Sequence, residues 1–311
     1  MNIPDLTILF SYDNQTVELN PNKHNRFEAF FATYTTKEID GLANGYRLTL
    51  TIHPKEPIVL KALQATIPFS YTDAHTVFCN GFQSWSESRE HMLHEYIRPL
   101  RSIASPWLKR YGDQYLDLLD KSDASLHSWT YGYIRRHAHN MLFVGSLSEH
   151  TGFTLLRYNQ QKGIVLHKEC ADMTLTHSFP MLDIVVLEGT DKNVFDHYFS
   201  MMELPKKTIK KVNGWTSWYH YYTDISEAVL LENLTAIEHK KVDFDFFQID
   251  DGWQPAVGDW LTTNDKFSRN FNKIVSKAKQ QGMQPGIWLA PFICEKTSDL
   301  YQKHPDWLLR D

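Results

Sequence analysis

The chain has 311 residues and a mass of 36.4 kDa, with 42 % hydrophobic and 22 % charged residues and a mean hydropathy of −0.42. These values point away from a disordered or membrane-spanning chain and leave room for one large or two ordinary domains. A net charge of −5 and a pI near 6.3 exclude a general attraction to nucleic acid or to an anionic membrane surface.

From the start to about Leu187, short runs of alternating polarity end at Gly, Asn, Asp or Pro, the pattern of half-buried strands. The clearest run is 46–52, where Tyr46, Leu48, Leu50 and Ile52 share one face while Arg47, Thr49 and Thr51 meet water. Further strands are expected at 58–69, 126–135, 141–147, 153–158, 163–167, 173–179 and 182–187, and a long connection with some helix at 90–119. Many strands with little helix between them predict a sandwich. Val194, Tyr198, Met201 and Met202 then stand at helical spacing behind Asp191, a residue suited to an N-cap, with Pro205 closing the element. The basic run 206–211 fits a solvated linker better than an anion site in an acidic protein, and the domain boundary is placed there.

Beyond that linker, strands alternate with helices. A strand is expected at 212–218. Asp224-Ile225-Ser226-Glu227 has the form of a capping box, followed by Leu230, Leu231, Leu234 and Ile237 on one helical face. A short apolar strand at 244–249 is interrupted by Asp245 and Gln248, and Phe271, Ile274, Val275 and Ala278 mark a helix that Gly282 closes. A third strand is expected at 284–289. The order βαβαβ implies parallel strands with right-handed crossovers, hence the opening of an α/β sheet or barrel.

Ligands of parallel α/β folds meet the carboxyl ends of the strands, and here each strand ends in suggestive residues. The first ends Trp215-Thr216-Ser217-Trp218-Tyr219, the second Gln248-Ile249-Asp250-Asp251-Gly252-Trp253, the third Pro285-Gly286-Ile287-Trp288. Adjacent carboxylates beside indoles suit a sugar: carboxylates accept bonds from vicinal hydroxyls, and Trp covers the C–H face of a pyranose. The same letters also fit a turn with a helix cap, a Mg²⁺ site, or plain core aromatics. His91 with His94, and His137 with His139, lack a Cys or acidic cluster at ligand spacing, so satisfied or surface histidines are expected and no metal. GxGxxG, P-loop, HExxH and GxSxG motifs are absent, so no cofactor is expected. Cys79, Cys170 and Cys294 are odd in number and form no CxxC, which predicts free thiols and, with no basic apolar leader at the start, a cytoplasmic protein.

The run Gly214-Trp215-Thr216-Ser217-Trp218-Tyr219-His220-Tyr221 is followed by Phe247-Gln248-Ile249-Asp250-Asp251 and Gly258-Asp259-Trp260-Leu261. Then come Pro285-Gly286-Ile287-Trp288, Ala290-Pro291-Phe292 and His304-Pro305-Asp306-Trp307. Together, in this order, they resemble the α-galactosidases (melibiases) of glycoside hydrolase family 36. Asn80-Gly81-Phe82-Gln83-Ser84-Trp85 is similar to the Asn-x-Trp-Gln-Ser-Trp segment of that family's N-terminal sandwich, with Phe82 replacing the first Trp.

The resemblance implies a β-sandwich (supersandwich) with a linking helix over 1–205, then the first three βα units of a (β/α)8 TIM barrel, truncated, over 206–311. It implies that Asp250 and Asp251 hold the axial 4-hydroxyl and the 6-hydroxyl of a terminal galactose, selecting it over glucose. Trp218, Tyr219 and Trp288 would wall the pocket, and Trp85 would reach it from the sandwich. The implied activity is retaining hydrolysis of α-galactoside oligosaccharides of the melibiose and raffinose class. Such enzymes need two carboxyl groups about 5 to 5.5 Å apart that flank the bond. The family carries them after the fourth and sixth barrel strands, which these 311 residues do not reach, so Asp250 and Asp251 are assigned to binding and the chain alone is expected to be inactive. The alternatives are a non-catalytic galactose-binding module and a galactosyl-transferring relative of the raffinose-synthase kind. An incomplete barrel exposes a parallel edge, which a second copy or a complementing chain would cover.

Overall fold

The alternating runs of the N-terminal part pair into two antiparallel sheets. The computed structural model describes residues 6–21, 23–82, 86–95, 125–137, 139–202, 204, 210–268 and 270–309. The chain divides into two compact units, Met1–Pro205 and Lys206–Asp311. In chain order the strands of the first are β1 (Thr7–Tyr12), β2 (Gln15–Leu19), β3 (Asn25–Arg26), β4 (Phe30–Glu38), β5 (Asn44–Pro54), β6 (Ile58–Ile67), β7 (Thr76–Cys79) and β8 (Arg89–Met92). They continue with β9 (His127–Trp129), β10 (Tyr131–His137), β11 (Asn140–Ser146), β12 (Thr154–Asn159), β13 (Gly163–Lys168), β14 (Thr174–Leu175) and β15 (Phe179–Gly189). One sheet runs β2-β1-β6-β13-β12-β9, with β14 also on β6; the other runs β3-β4-β5-β15-β11-β10-β7-β8.

Apolar side chains from both sheets fill one core: Phe10, Leu60, Leu156 and Leu166 from the first, Phe30, Leu50, Leu142, Val144, Leu182 and Ile184 from the second. That shared core makes the pair a sandwich. β5 alternates as expected, with Leu48, Leu50 and Ile52 buried. β11 and β15 read instead as unbroken apolar runs because both their faces are covered. Their outward residues Met141, Phe143, Val185 and Leu187 pack with Val194 and Tyr198 of α1 (Asp191–Met201). The Tyr198 ring lies against Gly145, where a Cβ would sit 2.5 Å from Cε2, and its hydroxyl donates to the Ser146 carbonyl at 2.8 Å. Glycine is what lets this helix approach the sheet.

Three local expectations need correction. The single strand predicted at 126–135 is two strands, β9 and β10, belonging to opposite sheets; Thr130, at φ 67°, turns the chain between them. The strand predicted at 173–179 shrinks to β14, and 179 already belongs to β15. Thr190, not Asp191, occupies the N-cap of α1, while Asp191 sits in the first turn and pairs with Arg135 at 2.9 Å. Most of the connection predicted at 90–119 lies outside the described residues, as do residues 206–209 of the linker.

The second unit contains a parallel sheet in the order β16 (Gly214–Thr216), β17 (Phe246–Ile249), β18 (Gln284–Ile287). After β16 comes the short α2 (Trp218–Tyr221), then α3 (Glu227–Lys240); α4 (Asn272–Gln280) follows β17 and α5 (Asp299–Lys303) follows β18. Leu230, Leu234 and Ile237 of α3 and Ile274 and Ala278 of α4 bury Phe247 and Ile249 of the central strand. Ser226, not Asp224, caps α3, accepting from Val229 N at 3.3 Å. Glu227 turns away to Lys273, 2.8 Å distant, and to the Ser268 hydroxyl. The finding is a β-sandwich and a three-stranded parallel α/β unit. Among the described residues no helix is long and apolar enough to cross a membrane.

Candidate active site

The parallel register brings the carboxyl ends of three adjacent strands together, with Thr216 opposite Gln248 and Gln248 opposite Gly286. Side chains alternate along β17. Phe247 and Ile249 point into the helix-covered core, so Gln248 and Asp250 share the other face. Gln248 interrupts the apolar strand because it lies on the face opposite the helix-packed Phe247 and Ile249.

Asp250 is 8 % exposed and its carboxylate is tightly held. Thr216 Oγ1 and Gln248 Nε2 both donate to Oδ2 at 2.9 Å, and the Asp251 amide donates to Oδ1 at 2.9 Å. The Asp250 amide in turn donates to Ser217 Oγ at 2.9 Å, tying the ends of β16 and β17. Three donors on one carboxylate satisfy the requirement that a buried charge be hydrogen-bonded.

Asp251 leaves the strand through a glycine turn. Gly252 has φ 107°, and a Cβ there would come within 2.4 Å of the Thr223 carbonyl oxygen. Gln254, also 8 % exposed, returns its Nε2 to Asp251 Oδ1 at 2.6 Å. Asn264 closes the turn, donating from Nδ2 to the Gly252 carbonyl at 2.8 Å.

The indoles enter from both flanks. The Trp288 amide donates to the Ile249 carbonyl at 2.8 Å, and Trp253 Nε1 donates to the Trp288 carbonyl at 3.2 Å, which fixes the end of β18 against β17. The Trp288 ring meets Trp260 edge to face, centroids 5.8 Å apart. The loop carrying Trp260 is pinned to the loop after β18: Asp259 accepts from the amides of Asp299 and Leu300 at the start of α5, and Gly258 packs on Cys294 and Ser298. On the other flank Trp218 opens α2, one residue beyond the Ser217 that holds Asp250. The strand predicted to run to Trp218 therefore ends two residues earlier, at Thr216. Trp218 stacks edge-on with Tyr222, and Tyr219 is 85 % exposed.

Comparison with known proteins supplies the rest. Residues 196–311 match the Melibiase family model. Alpha-galactosidase 1 of Pediococcus pentosaceus is 34 % identical over 106 residues, 32 % of this chain and 14 % of that protein. The alpha-galactosidase of Escherichia coli is 29 % identical over 118 residues, 35 % of this chain and 16 % of its own length. Among solved structures, TtGalA, an alpha-galactosidase from Thermus thermophilus in complex with stachyose, is similar at a TM-score of 0.63 and 26 % identity, covering 89 % of this chain and 56 % of that one. Its complex with p-nitrophenyl alpha-D-galactopyranoside gives 0.65 over 93 % of this chain and 53 % of that one. The chain thus spans little more than half of these structures, and its matches span about a seventh of the curated relatives' length.

Within the segment that matches the Melibiase model, the strand ends bring Asp250, Asp251, Trp218, Tyr219 and Trp288 to one end of one sheet. Trp85 lies outside the described residues. Thr216, Ser217, Gln248 and Gln254 were missed in the sequence as partners of the acidic pair. Gln248 stands in the sequence as an interruption and as a letter of the strand-end motif, without a role; the period of two that puts it beside Asp250 was the available clue. Among the described residues no three His, Cys, Asp or Glu side chains gather as a metal site. His91 is buried and bonded through Nδ1 to Glu95 at 3.0 Å.

Proposed function

We propose that this chain is part of an α-galactosidase that cleaves terminal α-galactosides with retention, in which Asp250 and Asp251 bind the galactosyl ring and Trp218, Tyr219 and Trp288 wall it. The observation that carries this reading is the buried, triply hydrogen-bonded Asp250 beside Asp251 at the carboxyl end of the middle strand of the segment that matches the Melibiase model. A carboxylate already supplied with donors on both oxygens is held in one orientation, ready to accept from sugar hydroxyls. It is poorly placed for attack: neighbouring acids sit on one side of a ring, whereas nucleophile and acid/base must flank the bond. The binding of stachyose and of a nitrophenyl galactoside by TtGalA supports an α-galactoside as ligand. The reading includes an incomplete (β/α)8 barrel in the second unit and a reducing, cytoplasmic setting, the latter supported by three free thiols, two of them buried.

A polypeptide of these 311 residues is expected to give no turnover of an aryl α-galactoside above buffer. Calorimetry with galactose should show saturable binding that Asp250→Ala abolishes. Turnover in the purified chain would overturn the division between binding and catalytic acids. Equal galactose binding by wild type and Asp250→Ala would remove the sugar site altogether.

A further inference from the structure

The two aspartates are supported very unequally. Asp250 is locked from three sides, by Thr216, Gln248 and the Asp251 amide. Asp251 is only partly buried, and its carboxylate accepts one bond among the described residues, from Gln254 Nε2 at 2.6 Å. A carboxylate offers about four acceptor directions. Asp250 has one left for a ligand, whereas Asp251 has the larger free share and only one restraint.

We propose that Gln254 is the positioning residue that fixes the Asp251 carboxylate and so sets the preference of the site for an axial over an equatorial sugar hydroxyl. The proposal rests on the galactose reading of the acidic pair. Gln254 is itself immobile: it is 8 % exposed, its Oε1 accepts from the Gly252 amide at 3.3 Å, and Asn264 Nδ2 donates to its carbonyl at 3.3 Å. Turning the side-chain amide over would set a carbonyl against the Asp251 carboxylate and an NH₂ against the Gly252 N–H, two repulsive contacts. One orientation therefore holds, with its donor facing the acid. Discriminating two epimeric hydroxyls demands an acceptor held to about 0.5 Å, and a carboxylate free to rotate accepts from either epimer. The sequence Asp251-Gly252-Trp253-Gln254 achieves this locally, because the glycine turn folds the fourth residue back onto the first.

Gln254→Met keeps length and removes the donor; Gln254→Glu keeps shape and places a like charge opposite Asp251. In the full chain, side-chain NMR couplings of Asp251 should report one rotamer in the wild type and averaging in both variants, while those of Asp250 stay fixed. Galactose and glucose titrations should show galactose affinity reduced at least about tenfold and the preference over glucose reduced by a similar factor. An unchanged Asp251 rotamer in both variants overturns the proposal, and so does unchanged selectivity beside a mobile Asp251. If the wild type binds no galactose while the rotamers still average in the variants, the galactose reading and the claim on selectivity fall, and the hold of Gln254 on Asp251 stands.

Discussion

The two units of this chain use burial in opposite ways. In the sandwich, each sheet closes over the other, α1 covers the outer face of β11 and β15, and even an inward lysine is fully engaged. Lys168 Nζ donates to the carbonyls of Ser148 and Gly152 and to the Ser148 hydroxyl. In the α/β unit, β16 and β18 each pair only with β17 among the described residues, and Leu261, Phe292 and Leu309 stand at least 98 % exposed. Its buried polar groups gather instead at the strand ends, around Asp250. Where burial dominates, the sequence is specified by packing; at the strand ends it is specified by hydrogen bonds to the two aspartates.

The sharpest way to break that contrast is to damage the part that packing should control. Phe143, fully buried between β11 and α1, stacks with Tyr131 and meets Phe195 and Tyr198. Phe143→Ala should cost about 3–5 kcal/mol in urea unfolding of the sandwich, through lost transfer energy and the cavity left behind. Galactose binding by molecules that remain folded should not change. A cost below about 1 kcal/mol would mean that α1 collapses into the gap and that the outer layer is loosely specified.

Gly252→Ala tests the other side. The residue must hold φ 107° and would press a methyl against the Thr223 carbonyl, so about 1–3 kcal/mol of strain is expected in the α/β unit. Because the turn carries both Asp251 and Gln254, galactose affinity should fall with it, whereas the melting of the sandwich should not move. Loss of stability without loss of affinity would separate the turn from the site.

Much of this contrast could be read in the letters. β5 was visible because its apolar and polar residues alternate, and the acidic pair because two carboxylates ended an otherwise apolar strand. Thr130 escaped notice because nothing local marks a β-branched residue at positive φ; only its position between two sheets requires that conformation. Asp224 and Asp191 looked like caps by type, but Ser226 and Thr190 hold those places, because propensity cannot fix a helix boundary to the residue. Thr216 is 34 positions from the aspartate it supports, so their bond exists only once parallel pairing has set the register. Gln254 was within reach, three residues from its partner, yet a glutamine after Gly-Trp carries no pattern until the turn geometry is known.

The smallest expected effect concerns acid. Burial, with the Arg157 charge adding to it, pushes the His167 imidazole of β13 down to about 4 from its usual 6.5. Below about pH 6.5 the unfolded chain therefore takes up a proton that the folded sandwich refuses until about pH 4. Stability from this group is fully present above pH 6.5 and is lost as the pH falls across that interval, by about 1 kcal/mol once partial exposure is allowed for. His167→Asn should flatten the fall of the melting temperature between pH 6.5 and 4, leaving a further decline below it. That later decline includes Glu95, whose carboxyl is held down to about 2 by the Met92 amide and by Arg89 and His91, and Glu90, which against the opposing effect of burial is held below its usual value by hydrogen bonds from Arg135, Thr76 and Tyr133. An acid profile identical in wild type and variant would show that the first unit tolerates a charged imidazole, and would weaken the picture of a sandwich governed by burial.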